Sequence, residues 1–297
     1  MNENNINNSI LEIKRLELLK KSEKIKSIGF ALVALGILSI VANIVGLGRI
    51  NALLIILGFF SFLFIVSGII VILLSSKNRK SYSEIVKNEL IPFLLQSIYG
   101  DSTYSSVSFF DIQDVLDSTL LKKPDNTILE DYISGTYQGI KFISSEITLQ
   151  VSSVDSSGNS FYETYFSGIW VKYKLKVNYH QILKVKHHSF SKESKLEEIF
   201  TSNLKFNKKF QIFVSPGKSI PEIVSIDIFD KLIEFEDKYK SLICFSLIDD
   251  TLYFGVNSYH DSFEFSINEK VNDSMIDKVY HELCIYKEII ELFNIEN

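Results

Sequence analysis

The chain has 297 residues, 46% of them hydrophobic, with 31 Lys and Arg against 36 Asp and Glu and a formal net charge of −5. Residues 28–74 hold a single charged side chain, Arg49, which excludes a purely soluble globular protein, a disordered chain and a large multi-span transporter. Two cysteines, Cys244 and Cys284, exclude a disulfide framework and a zinc site made of Cys alone.

Residues 1–27 predict a cytoplasmic, amphipathic N-terminal helix. Ile10, Leu11, Ile13, Leu16, Leu18 and Leu19 stand among mixed charges. Three readings stay open: an interfacial helix whose lysines meet anionic lipid, a short coiled coil, or a solvated juxtamembrane helix. A transmembrane hairpin follows over 28–74, with spans 28–47 and 52–74. Each is apolar on every side, and ~20 residues rising 1.5 Å each cross the ~30 Å hydrocarbon core. The link Gly46 to Asn51 is too short for a domain. Gly29, Ala34, Gly36, Ser39, Ala42 and Gly46 in the first span, with Gly58, Ser61 and Gly68 in the second, permit close helix packing. Packing within the hairpin is preferred; a homo-oligomer is the second reading. Neither span contains an acid or a base, which argues against ion conduction.

Basic residues set the orientation. Lys14, Arg15, Lys20, Lys21, Lys24 and Lys26 precede the hairpin and Lys77, Arg79, Lys80 and Lys87 follow it, against Arg49 alone in the link. Both termini are therefore expected in the cytoplasm, in a two-pass protein of the cell membrane. A cleavable signal peptide is not expected, because the first apolar run starts late and is too long. Residues 75–100 predict a juxtamembrane helix, bent or ended near Pro92. Asp101 to Ser106 reads as a break before the folded domain.

The charge divides sharply: +2 on residues 1–27, +1 on the hairpin, +2 on 75–99, and thus −10 on 100–297. A body that acidic is not a general nucleic-acid binder, and an anionic leaflet repels it. Within 101–297, strands are expected at Tyr132 to Tyr137 and Ile140 to Val151, around Gln138-Gly139. A longer alternating strand follows, with Tyr165, Ile169, Val171, Tyr173, Leu175, Val177 and Tyr179 on one side. Phe166, Gly168, Trp170, Lys172, Lys174, Lys176, Asn178 and His180 lie on the other. Ser194 to Ser202 reads as a short amphipathic helix and Phe210 to Val214 as a strand. Ser219-Ile-Pro-Glu222 reads as a capping box that opens a helix to about Tyr239. Leu242 to Ile248 and Thr251 to Asn257 form a hairpin. The spacing of Ile276, Val279, Leu283, Tyr286, Ile290 and Phe293 predicts a closing helix over 273–293, packed on a sheet in preference to a coiled coil. Without a βαβα rhythm, this order indicates an α+β fold with a largely antiparallel sheet.

Catalytic motifs fail on spacing. Ser215-Pro-Gly-Lys-Ser219 ends like a phosphate loop, but Ile212 stands where its first glycine belongs. His281-Glu282 opens like a zinc-protease helix, but Ile285 occupies the second His position. His281 and Cys284 share a helical face with no further local ligand, so neither a metal nor a cofactor is expected. Glu146 is either a catalytic carboxylate or a polar residue on an open sheet face. The row Lys172, Lys174 and Lys176, followed by Lys184, Lys186, His187 and His188, suggests an anion-binding site. The plainer reading is a lysine-guarded edge or solvated face, paired with acids of the Asp227 to Asp237 helix. Trp170, on the lysine side, calls for some apolar cover there.

The stretch Glu130-Asp-Tyr-Ile-Ser-Gly, running to Ser145-Glu146, resembles the opening of a bacterial family, domain of unknown function thirty-one thirty-seven. Phe166-Ser-Gly-Ile169, Phe206-Asn-Lys-Lys-Phe210 running to Val214, and Leu252-Tyr253-Phe254 follow in the family's order. The resemblance spans residues 80–295; the chain departs from it at Ser215-Pro216-Gly217 and lacks the usual run before the next helix. It implies two membrane spans followed by an α+β domain, and no reaction or ligand. The expectation for function is a membrane-anchored cytoplasmic interaction or regulatory domain that meets membrane lipid and binds a protein partner or an anionic ligand. Two alternatives accompany it: a membrane-tethered enzyme using Glu146 with Lys172 and Lys176, and an oligomeric membrane scaffold.

Overall fold

The computed structural model describes residues 3–45, 52–188, 190, 195–225, 227–260 and 262–293. The expected link with Gly46 and Arg49, and the start of the expected helix at Ser194, lie outside them. The chain divides into two compact units. Residues 1–87 with 264–277 form one, and 88–263 with 278–297 the other.

The first unit is built on two long helices, α1 (Glu3–Val45, 43 residues) and most of α2 (Ala52–Tyr99, 48 residues). Both are long and apolar enough to cross a membrane. Leu35, Leu38, Phe59, Phe62 and Leu73 are exposed on their outer surfaces, where lipid would replace water. The helices meet through glycine. A Cβ on Gly68 would lie 2.7 Å from the Gly29 carbonyl oxygen, and one on Gly36 would lie 2.9 Å from that of Ser61. The Ser61 hydroxyl donates to Ser39 at 2.7 Å. Gly29, Gly36 and Gly68 are thus consumed inside the hairpin, as small-residue packing requires.

α1 begins far ahead of its apolar span. Leu11 and Arg15 are buried against the 264–277 segment. The Arg15 guanidinium holds Glu12 by two hydrogen bonds of 2.6 and 2.8 Å and donates to the Ile267 carbonyl at 2.9 Å. Glu12 accepts the Val271 N–H at 3.1 Å. Lys87 pairs with Glu264 at 3.1 Å. The N-terminal helix is therefore clasped within its own unit, an arrangement that none of the three sequence readings contained. Pro92 does not end α2, which continues to Tyr99.

The second unit carries a nine-stranded antiparallel sheet, ordered β1-β2-β3-β4-β9-β8-β5-β7-β6. Its strands are β1 (Ser102–Val107), β2 (Asn126–Tyr137), β3 (Ile140–Val154), β4 (Ser160–Lys174), β5 (Ile182–His187), β6 (Glu197–Ile199), β7 (Phe210–Val214), β8 (Leu242–Ile248) and β9 (Thr251–Asn257). The α+β architecture expected from the sequence is present. The expected break at Asp101 to Ser106 is instead strand β1. Part of the expected 194–202 helix is the short strand β6, and helix α4 (Leu204–Lys209) follows it, capped by the Asn203 side chain on the Phe206 N–H. The Ser219 capping box opens no helix: α5 runs from Ile228 to Tyr239. Ile228 and Phe229 at the start of α5 are buried and Phe235 packs on Phe254 of β9, so burial of apolar residues, more than the box, places the helix.

The closing helix is split into α6 (Asp273–Leu283) and α7 (Ile285–Leu292). The cause is a side chain. The Tyr99 hydroxyl donates to the Leu283 carbonyl at 2.6 Å and accepts the Lys287 N–H at 3.2 Å, standing between two groups that would bond directly in a continuous helix. The Tyr173 hydroxyl takes the Tyr286 carbonyl at 2.8 Å. With Phe142 stacked on Tyr286 and Phe293 set edge-on to Phe245, α7 covers the sheet. The preferred sheet-packing reading of this helix is the one found.

Gly68→Leu forces the two long helices apart and is expected to cost about 1–3 kcal/mol, read as a lower melting temperature in detergent micelles. Gly58→Leu, where an added Cβ meets nothing within 4 Å, is expected to leave the melt within a degree or two. Tyr99→Phe removes the partner of the buried Leu283 carbonyl and of the half-buried Lys287 N–H and is expected to cost about 1–3 kcal/mol, measured the same way.

Candidate functional site

The alternation along β4 puts Trp170 and Lys172 on one face and Ile169, Val171 and Tyr173 on the other. Register carries each face across the sheet. Trp170 stands opposite Gly255, Gly255 opposite Cys244, and Cys244 opposite Lys186. One step along, Lys172, Tyr253, Ser246 and Lys184 form a parallel row. The lysines noted in the sequence therefore do gather on one face of the sheet.

That face is covered. The short helix α3 (Ile112–Asp117) and its flanks place Phe110, Val115 and Leu120 against Trp170, Phe166, Cys244 and Tyr253. The Trp170 ring has room only because position 255 is Gly, where a Cβ would sit 2.6 Å from the indole. Polar side chains of the sheet hold the cover down. Lys172 pairs with Asp114, the Lys184 ammonium donates to the Thr119 carbonyl at 2.9 Å, and the Ser246 hydroxyl donates to the Ser118 carbonyl at 2.9 Å. Lys186, 1% exposed, lies 5.0 Å from the centre of the Phe213 ring. Burial pushes the neighbouring Cys244 thiol up to about 12, with Lys186 pulling the other way, so this is not an activated nucleophile.

The solvated-face reading of the lysines is corrected by this geometry. Lys184 and Lys186 are interior, β4 and β5 are internal strands, and Lys172 is paired with Asp114 rather than with the Asp227 to Asp237 helix. The buried Lys184 ammonium is a donor to the underside of the α3 segment, and the half-buried Lys172 pairs with Asp114 of that segment. Lys174 pairs with Asp250 and remains solvent-facing, with Lys176 exposed beyond it. The sequence signal that could have foretold this is the pairing of Trp170 with the lysines on one face.

Glu146 lies on the opposite face. It stands opposite Ile169 in β4, is buried, and accepts the Ser262 N–H on both carboxylate oxygens at 2.9 and 3.0 Å. Asp131, at a break of register in β2 with φ of 50°, is buried beside Tyr104, whose hydroxyl it accepts. Glu282, nearby in charge, has its carboxyl raised above the usual range by burial, with Lys278 and the Phe263 N–H working against that. Sequence reasoning weighed Glu282 only beside His281 as part of a zinc-protease pattern, and gave Asp131 no role because nothing local marks it as buried. The sheet thus places Glu146 and Lys172 on opposite faces. His281 is exposed and Cys284 buried at the α6–α7 junction. Among the described residues, no three His, Cys, Asp or Glu side chains gather as a metal site. Ser215 to Lys218 is a turn in which the Lys218 N–H bonds the Ser215 carbonyl at 3.0 Å.

An apolar two-helix element joined to an antiparallel α+β domain is the class of protein this defines. Residues 164–295 match the family described as "Protein of unknown function (DUF3137)", the family that the sequence resembled. The match begins after Glu130 to Glu146, so the first stretch of that resemblance lies outside it. No curated protein matches the chain. Among solved structures, it is similar to "crystal structure of the mycobacterial trehalose monomycolate transport factor A, TtfA", over 71% of this chain and 97% of that one. The identity is 7% and the TM-score 0.36.

Lys184→Ala removes a buried stem and leaves the Thr119 carbonyl without its ammonium donor, and is expected to cost about 2–4 kcal/mol. Lys176→Ala, at an exposed position, is expected to stay within about 0.5 kcal/mol. Thermal melts of the two variants check the difference.

Proposed function

We propose that this protein is a membrane-anchored interaction module, with its α+β body on the cytoplasmic side and a protein as its partner. The observation that carries the reading is the joining of two apolar, glycine-packed helices to an acidic domain whose buried polar groups serve its own packing. The basic residues flanking the helices support the orientation. Setting aside Arg15, held by Glu12, and Lys87, paired with Glu264, Lys14, Lys20, Lys21, Lys24 and Lys26 still precede the first span and Lys77, Arg79 and Lys80 follow the second. A net charge of −10 on residues 100–297 keeps the body off an anionic leaflet and leaves its surface open to a partner. A protein is preferred to a free anion because Lys172, Lys184 and Lys186 are spent on Asp114 and on the interior.

Proximity labelling from a C-terminal fusion, compared with a fusion to residues 1–87, tests both parts. Cytoplasmic neighbours that only the full chain labels are the expected result. An identical set from the two fusions removes the interaction role. Trimming of the body by protease added to intact cells removes the orientation.

A further inference from the structure

The two outer edges of the sheet are built differently. β6 is three residues long, and two of them, Glu197 and Glu198, are charged, a short guarded edge of the kind that resists further pairing. β1 has six residues with no charge, no proline and no break in its first four register pairs. Among the described residues it pairs with β2 alone. The uncharged run extends from Ser102 to Phe110, between Asp101 and Asp111. At the end of the strand Val107 is 66% exposed and, two residues on, Phe109 is 74% exposed, with Phe109 resting edge-on against Tyr132. A third free stretch, the part of β4 beyond β9, contains Glu163. β1 is therefore the unguarded edge of an otherwise acidic body.

We propose that β1 is a dimerisation strand, pairing antiparallel with β1 of a second copy of this chain. An antiparallel edge is complementary to itself under a two-fold axis normal to the sheet, so one surface supplies both partners. Absence of charge selects a second copy over other partners. Two bodies this acidic repel elsewhere, whereas from Ser102 to Phe110 their strands meet without facing like charges, and a basic peptide would find no acid on the strand to pair with. The symmetry also restricts the register. A two-fold axis normal to the sheet keeps each residue on its own face, so opposed positions must differ by an even number. Pairing of five residues leaves two registers, one with Tyr104 on the axis and one with Ser105. In either, Val107 and Phe109 flank the seam and lose exposed apolar surface.

This inference rests on the edge alone and stands whether or not the cytoplasmic reading does. It is tested on the purified full chain in detergent micelles. Sedimentation is expected to show a dimer. Thr103→Lys combined with Ser105→Lys opposes lysines across the seam in both registers, and is expected to yield a monomer with unchanged circular dichroism. Single cysteines placed at Tyr104 and Ser105 and oxidised are expected to give a covalent dimer at one of the two, against a background of buried Cys244 and Cys284. A monomeric parent chain, a dimer that survives both lysines, or no crosslink at either position would overturn the proposal.

Discussion

Burial of both faces of the central strands governs this structure. Over their central residues, β4, β9, β8 and β5 are packed by α5 and α7 on one side and by the α3 segment on the other, so a charged side chain there must find a partner. That single requirement accounts for the interior lysines. An ammonium in a dry place must donate, and Lys184 and Lys172 find the carbonyl of Thr119 and the carboxylate of Asp114 in the segment laid over them. The polar row that reads as a surface in one dimension works in three as a set of fasteners for a cover six residues of helix long.

The opposite face is solved with tyrosines. Tyr173 reaches the Tyr286 carbonyl, and Tyr99 enters the hydrogen-bond ladder between Leu283 and Lys287. Each pairs a large apolar ring with one hydroxyl placed where a carbonyl would otherwise lack a partner. A helix break usually marked by Pro or Gly is produced here by a residue some 180 positions away in the chain. Burial raises the Tyr99 and Tyr173 hydroxyls well above their ordinary range, so both remain neutral donors at any physiological pH.

The apolar helices obey a different accounting. In a bilayer there would be little hydrophobic gain in bringing two such apolar helices together, so their contact would depend on close backbone approach. Gly29, Gly36 and Gly68 provide that approach, and the Ser39–Ser61 hydrogen bond adds a polar tie. The clasp of Glu12 and Arg15 on residues 267–271 gives the same unit a second fastening outside the apolar stretch.

Length and hydropathy by themselves determined the two apolar helices, because an apolar run of some 20 residues has few other uses. Alternation from Ile169 to Lys174 and the Asp249-Asp250 turn between β8 and β9 were equally legible, since side-chain direction and turn chemistry are local properties, although β4 ends at Lys174 and does not reach His180 as expected. Tertiary structure alone decided which face of β4 is wet. Alternation tells that two faces differ but not what covers each one, and the covering segment, 110–121, is remote from β4 in sequence. The same limit hid the start of α5, the split at Cys284 and the opposite placement of Glu146 and Lys172. Each depends on a partner distant along the chain, and long-range pairing leaves no periodic trace in the residues that take part in it.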